Sequence, residues 1–294
     1  MDAMLAQTFM PKNSEALFAS NKEGRIYVQP KLDGVRALAR IVDGKLVSIE
    51  SRNGTDFSHL VPIFKKSIET VVKTVPKNIV VLDGELYVHG VPFQKLVSMV
   101  RNRSDAGIAS SLEFHVYDAI DYDKKMGFEG RYLAYLRQGF LNPDILRVDN
   151  VVFVGILGLA KSMKDLDDYL DVAERDGYEG IMIRIGDRPY ETGKRSSSLI
   201  KYKRFETDEF LIVGVKEAKG KDKGTPIFEL QSNKQKSKKN VVFSARPMGT
   251  LEERKVMFEK RASLIGKHLT VKFQGLSLEG VPRFPVAVAV RDYE

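Results

Sequence analysis

Lys31-Leu32-Asp33-Gly34-Val35-Arg36 is the stretch on which the reading of this chain turns. Arg25–Pro30 reads as a strand before it, and Arg36–Arg40 alternates as a second strand after it. Asp33-Gly34 is a turn signal, so Lys31 should project from a strand end into a cleft. A lysine acts as a nucleophile only after losing its proton, which requires desolvation or neighbouring cations. Lys201 and Lys203 lie two apart in the expected strand Leu199–Phe205, hence on one face of it. Such a pair is costly unless an anion sits opposite, and a triphosphate would supply that charge. Glu85 follows the apolar strand Ile79–Leu82, and Glu179 opens the strand Glu179–Arg184. An isolated carboxylate beside an apolar strand suits a ribose hydroxyl or a Mg2+ ion.

The rest of the chain supports a two-part organisation. The hairpin signal Asp43-Gly44 joins Arg36–Arg40 to Leu46–Arg52. Helices are expected at Pro62–Val75, around Phe93 to Val100, at Phe128–Phe140, and after Ser162, which forms a capping box with Asp165. Leu112–Ile120 reads as a further strand. From Thr207 onward there are 17 basic and 11 acidic residues, whereas the first 206 residues hold 30 and 28. The texture changes at the same place. Short strands at Phe210–Val215, Ile227–Gln231, Val241–Ser244, His268–Phe273 and Val286–Arg291 surround one helix, Leu251–Arg261. These fit a small five-stranded barrel of the oligonucleotide-binding type. The expected fold class is α+β, with domains at 1–206 and 207–294.

Composition narrows the function classes. Net charge is +8, which suits a polyanionic partner. With no cysteine, disulfides, thiolate catalysis and zinc ribbons are excluded. No run of about 18 apolar residues and no signal peptide are seen, so a cytoplasmic protein with no membrane partner is expected.

Seven elements in order resemble the ATP-dependent DNA ligases of the covalent nucleotidyltransferase superfamily. They are the Lys31–Arg36 run, Ser51-Arg52-Asn53-Gly54, Asp83-Gly84-Glu85, Val116-Tyr117-Asp118, Glu179–Arg184, Leu199–Phe205 and Pro282-Arg283-Phe284-Pro285. The resemblance implies an ATP-grasp-like nucleotidyltransferase domain, with two antiparallel-rich sheets and helices, followed by an OB-fold β-barrel. By the same resemblance Lys31 attacks the α-phosphate of ATP, with Asp33 beside it in the catalytic run. Lys201 and Lys203 contact that phosphate, and Glu179 organises Mg2+ (or Mn2+), with Glu85 as ribose carboxylate and second metal candidate. Tyr117 stacks on adenine, Gln29 reads the adenine edge, and Arg283 and Arg291 orient pyrophosphate. Arg36, also counted in the nucleotide site, and Arg52 grip nicked duplex DNA.

The pattern is most similar to the minimal latch-less bacterial and viral ligases, working as monomers. Two departures stand out: the chain ends Arg291-Asp292-Tyr293-Glu294 without the usual following lysine, and no latch or N-terminal DNA-binding domain is evident. Duplex grip is then expected from two lysine clusters, Lys216, Lys219, Lys221 and Lys223, and Lys234, Lys236, Lys238 and Lys239. An RNA ligase or an mRNA guanylyltransferase would share the lysine chemistry, and a non-catalytic nucleic-acid-binding module is the rival of a different class. An NAD+ donor is disfavoured by the missing nicotinamide-binding segment and zinc cysteines.

Overall fold

The computed structural model describes residues 2–21, 25–73, 79–103, 106–121, 125–133, 147–232, 241–277 and 279–291. It divides into two compact units, Met1–Lys203 and Arg204–Glu294.

The first unit is mixed α+β. It begins with β1 (Leu5–Thr8), β2 (Ile26–Lys31), β3 (Val35–Val42), β4 (Lys45–Ser51), β5 (Ile79–Tyr87) and β6 (Glu113–Asp121). It continues with β7 (Arg147–Val148), β8 (Val151–Phe153), β9 (Gly158–Ala160), β10 (Gly180–Ile185) and β11 (Arg195–Tyr202). These form two sheets, ordered β1-β11-β10-β2-β9 and β4-β3-β5-β6-β8-β7. The chain leaves the first sheet at Lys31 and enters the second at Val35, so the Lys31–Arg36 run joins the two.

Each sheet buries one face under helices. Ile26, Val28, Ile181, Ile183 and Ile200 of the first sheet pack on Leu166, Leu170 and Ala173 of the helix Met163–Arg175. Ser162 and Asp165 close that helix's capping box, satisfying two of its orphan N–H groups. In the second sheet, Ala37, Ala39, Leu82, Leu86 and Phe114 meet Phe64, Ile68 and Val71 of the helix Val61–Val72. Leu96 and Val100 of the helix Phe93–Arg101 complete this cluster. Between the sheets, Met4, Leu38, Val81, Ile120, Tyr190 and Leu199 form a small apolar floor. Burying a side chain of this size stabilises the fold by about 1.5–3 kcal/mol, which makes these clusters the main force holding the sheets in register.

The second unit contains β12 (Glu206–Glu217), β13 (Pro226–Gln231), β14 (Val242–Pro247), β15 (His268–Phe273) and β16 (Val286–Arg291). They close into a barrel in the order β12-β13-β14-β16-β15. Phe210, Ile212, Phe228, Leu230, Leu269, Val271 and Phe273 fill it, the alternate residues of strands with a period of two. The helix Leu251–Glu259 starts from a Thr250–Glu253 capping box.

Three sequence expectations need correction. The strand Ile79–Leu82 does not stop before Asp83-Gly84-Glu85 but continues to Tyr87, because Gly84 lets β6 approach where a β-bulge interrupts the pairing. The strand expected at Leu199–Phe205 begins at Arg195 and ends at Tyr202, leaving Lys203 just beyond it. Lys216 is in β12 rather than in a loop, and pairs with Glu229 at 2.5 Å. Of the helix expected over Phe128–Phe140, Phe128–Arg131 is α-helical. Residues 134–140 of that expected helix, Val75, and Lys234, Lys236, Lys238 and Lys239 lie outside the described residues.

Candidate active site

Sheet register assembles the site. Gln29, Met182 and Lys201 are direct cross-strand partners on β2, β10 and β11. Their side chains therefore share one face, and the period of two adds Lys31, Arg184 and Leu199 to it. This face borders a cavity of about 230 Å³ whose other wall carries Arg36, Glu85 and Tyr117, with Arg52 also on the lining. Gly34 allows the joining run to close against β5: a Cβ there would lie 2.6 Å from the Leu86 carbonyl oxygen and 2.7 Å from Glu85 Cγ.

Three lysines and one carboxylate meet at the end of β2. The Glu179 carboxylate accepts from Lys31 Nζ through Oε2 and from Lys203 Nζ at 2.5 Å through Oε1. The side chains of Lys31, Glu179 and Lys203 are 20%, 14% and 8% exposed, so the group is shielded but reachable. Burial pushes the Glu179 carboxyl up, yet Lys31 and Lys203 outweigh it and hold the group below the usual carboxylate range. Burial lowers Lys201, and the neighbouring Lys203 and Lys31 ammonium groups lower it further. Lys203 is lowered by burial as well, with Lys31 adding to the effect and Glu179 opposing it. Glu179 pairs with two of these ammonium groups and Lys201 borders the same cavity, a concentration of cations that suits a polyphosphate.

Across the cavity Glu85 is pushed up to about 7, chiefly by burial and only partly offset by Lys31 and Arg36. Tyr117 Oη donates to Glu85 Oε2 at 3.3 Å. The Arg36 and Arg184 guanidinium carbons stand 5.8 and 5.3 Å from the Tyr117 ring centroid. The Arg36 guanidinium is committed to Asp83, donating through Nε at 2.9 Å and Nη2 at 2.6 Å, and to the Met4 carbonyl at 2.7 Å. It therefore borders the cavity while gripping a protein carboxylate. Arg52 is exposed and donates to Asn53 at 3.5 Å. Asp33 is in the turn after β2, close enough to influence Lys203, but does not border the cavity. Lys219, Lys221 and Lys223 are in the second unit, around a short 3-10 turn. Arg283 and Arg291 are also in that unit; Arg291 donates to Thr270 Oγ1 at 2.7 Å and pairs with Glu209 at 3.2 Å.

Sequence reasoning missed the charged layer beneath the cavity. Asp118 accepts from Arg131 through both oxygens, at 2.8 and 3.1 Å, and from Arg184 Nη1 at 2.8 Å. All three are buried. Arg184 Nε also donates to Gln29 Oε1 at 2.6 Å, and Gln29 Nε2 donates to the Val154 carbonyl at 3.1 Å. Tyr190 Oη donates to Asp83 Oδ2 at 2.6 Å. Arg184 was findable, since period two puts it on the face of Met182. Arg131 and Tyr190 carry no local signal.

Comparison with known proteins fits this geometry. Residues 3–203 match the family described as ATP dependent DNA ligase domain, and the chain belongs to that family. The DNA ligase of African swine fever virus is 29% identical over 279 residues, covering 90% of this chain and 63% of the viral protein. This chain thus spans less than two thirds of that relative's length. Among solved structures, a Lig E DNA ligase, described as binding DNA with a minimal scaffold, superposes with a TM-score of 0.70 at 23% identity over 99% of both chains. A second, Pmar-Lig_PreS3, gives 0.79 at 25% identity, covering 99% of this chain and 68% of the other.

Proposed function

We propose that this chain seals 5′-phosphate/3′-hydroxyl nicks in duplex DNA at the expense of ATP, working as a monomer. The observation that carries the proposal is the cluster of Lys31, Lys201 and Lys203 around Glu179 at the mouth of a nucleoside-sized cavity. Lys31 Nζ, once deprotonated, attacks the α-phosphorus of ATP. An N–P bond forms, the bond to pyrophosphate breaks, and AMP remains on the lysine. The AMP then passes to the 5′-phosphate at a nick, and the 3′-hydroxyl displaces it to join the strands. Lys201 and Lys203 neutralise charge on the phosphate as it is transferred.

The remaining roles are read onto residues that line the cavity. Tyr117 stacks on the base, Gln29 reads its edge and Glu85 holds the ribose. Among the described residues no three His, Asp or Glu side chains cluster as a metal cage. Mg2+ is commonly held by one or two carboxylates plus substrate phosphates, so Glu179 and Glu85 fit that mode. The ion, when bound, supplies further neutralisation of phosphate charge. The barrel is read as an OB-fold whose Arg283 and Arg291 orient pyrophosphate. Arg52, Lys219, Lys221 and Lys223 are read as DNA phosphate contacts, with Lys216 held back by Glu229.

The test is ATP-dependent joining of a nicked duplex by this chain, with mapping of the AMP adduct. An adduct on Lys31 and joined DNA are expected. Joining confined to nicked RNA, or an adduct formed from GTP alone, would replace this reading by one of the related activities. No adduct at all would leave only nucleic-acid binding.

A further inference from the structure

The buried polar layer under the cavity does more than support it. Gln29 is 1% exposed, yet its side chain borders the cavity. A carboxamide can present its oxygen and nitrogen either way round, and the two orientations read opposite hydrogen-bond patterns. Here the choice is forced by chemistry at both ends. Arg184 Nε has only protons to offer, so the atom 2.6 Å away must be Oε1. The Val154 carbonyl only accepts, so the atom 3.1 Å away must be Nε2. Arg184 is itself held by Asp118, which Arg131 grips from the other side. All members of the chain Arg131–Asp118–Arg184–Gln29 are buried.

We infer that Arg184, anchored on Asp118, is a specificity-determining positioning residue: it locks the Gln29 amide in one orientation, so that the cavity selects a 6-amino purine over a 6-oxo purine. This rests on the proposed use of ATP. With one bond made at each end, the amide retains one N–H and one lone pair for a base. Adenine offers a donor at N6 beside an acceptor at N1. Hypoxanthine and guanine offer an acceptor at O6 beside a donor at N1. An amide free to turn over would accept both edges; a locked one leaves the wrong edge with donor facing donor and acceptor facing acceptor. A mismatch of buried hydrogen-bonding groups discriminates far more strongly than a missing methylene does.

The experiment measures adduct formation from ATP, ITP and GTP. ITP differs from ATP only at the edge in question, so it separates edge reading from a clash with the 2-amino group of guanine. The wild-type chain is expected to form adduct from ITP on the order of a hundredfold less efficiently than from ATP. In Arg184→Met, Asp118 keeps both bonds from Arg131, while Gln29 loses the shorter of its two bonds and is held only by the longer one to the Val154 carbonyl, so turning the amide over costs less than before. The ITP:ATP ratio should rise about tenfold or more in that variant. Arg184→Leu also removes the donor to Gln29 and gives the same readout if the Met variant does not fold. Wild-type protein that uses ITP as well as ATP, or a folded Arg184 variant with an unchanged ratio, overturns the inference while leaving the proposed ligase activity standing. Failure of wild-type protein to form any adduct from ATP would take both down.

Discussion

The backbone N–H of Glu179 donates to the carbonyl oxygen of Lys31 at 3.0 Å, while the Glu179 carboxylate binds the Lys31 ammonium. The two residues are thus tied together through both main chain and side chain. Gly180, next in sequence, permits this: its φ is 148°, and a Cβ there would lie 2.5 Å from the Tyr202 carbonyl oxygen. The carboxylate is fixed where it can hold Lys31 in place and set it against Lys203.

Glu179→Gln keeps the shape and removes the charge that pairs with Lys31 and Lys203. Adduct formation should fall by about 10²-fold or more. The sign of the stability effect follows from the lowered folded-state value. A depressed carboxylate stabilises the fold above its unfolded value, and that contribution disappears as pH falls through the folded one. The variant should therefore melt below the parent at neutral pH and converge with it in acid. Equal melting points at both pH values would show that Glu179 gains nothing from its lysines.

Glu85 behaves in the opposite sense. Its folded value is about 7 against an ordinary 4.5, so between those values the folded state binds more protons than the unfolded state. Stability contributed by this site falls as pH rises through that window, and the full penalty is present above pH 7. Discounted for the site's partial exposure, the penalty is about 1–3 kcal/mol. Glu85→Gln should raise the melting temperature of the nucleotide-free protein at pH 8 and leave it nearly unchanged at pH 4, while weakening adduct formation. A variant equally stabilised at both pH values would point to packing rather than charge.

Gly34→Ala tests how tightly the Lys31 run is packed on β5. The nearest atom is a backbone carbonyl in a central strand, which cannot swing aside as a side-chain tip would. The added methyl should destabilise by about 1–3 kcal/mol and displace Lys31 relative to Glu85, cutting adduct formation more than its stability cost explains. Urea denaturation together with adduct rate decides it; wild-type values of both would show that the turn has room.

These predictions also mark what the sequence could and could not reveal. The Asp43-Gly44 hairpin was readable because both residues need positive φ, 49° and 72°, which few residues adopt readily. The capping box at Ser162 was readable because its two hydrogen bonds are local. The strand β11 was misplaced because Ser196 and Ser198 resemble loop residues; in the fold they are buried and hydrogen-bonded to each other at 2.7 Å. β1 escaped notice because its four residues gain meaning only by parallel pairing with β11, nearly two hundred positions away. Lys31, Lys201, Lys203, Glu85 and Glu179 were legible as chemistry without partners. Tyr190 on Asp83 and Arg131 on Asp118 were not, since such pairings are made by sheet packing rather than by spacing.

That buried layer should be energetically prominent. Arg131 is fully buried and its loss leaves Arg184 as the ion-pair partner of Asp118 among the described residues. Arg131→Met should cost about 3–5 kcal/mol, as breaking one side of a buried ion pair does. Lys164→Ala removes an exposed i,i+4 pair with Asp168, screened by solvent, and should leave stability nearly unchanged. Comparable losses from the two, measured by chemical denaturation, would contradict the assignment of Arg131 as a structural counter-ion.

The second unit carries the last prediction. If Lys219, Lys221 and Lys223 touch DNA phosphates, each contact releases counterions, and the log of affinity falls with log salt by about 0.9 per contact. Replacing all three by Gln should flatten that slope by about 2–3 and weaken binding most at low salt. Lys216→Gln should change it less, because Glu229 already neutralises that ammonium at 2.5 Å. Removing the lysines should leave AMP transfer to Lys31 intact, since none of them borders the cavity of the first unit. The discriminating measurement is nicked-duplex binding across a salt series, read beside adduct formation without DNA. An unchanged slope with unchanged adduct would rule these lysines out as phosphate contacts, whereas loss of adduct would mean that the substitutions had damaged the protein rather than its grip.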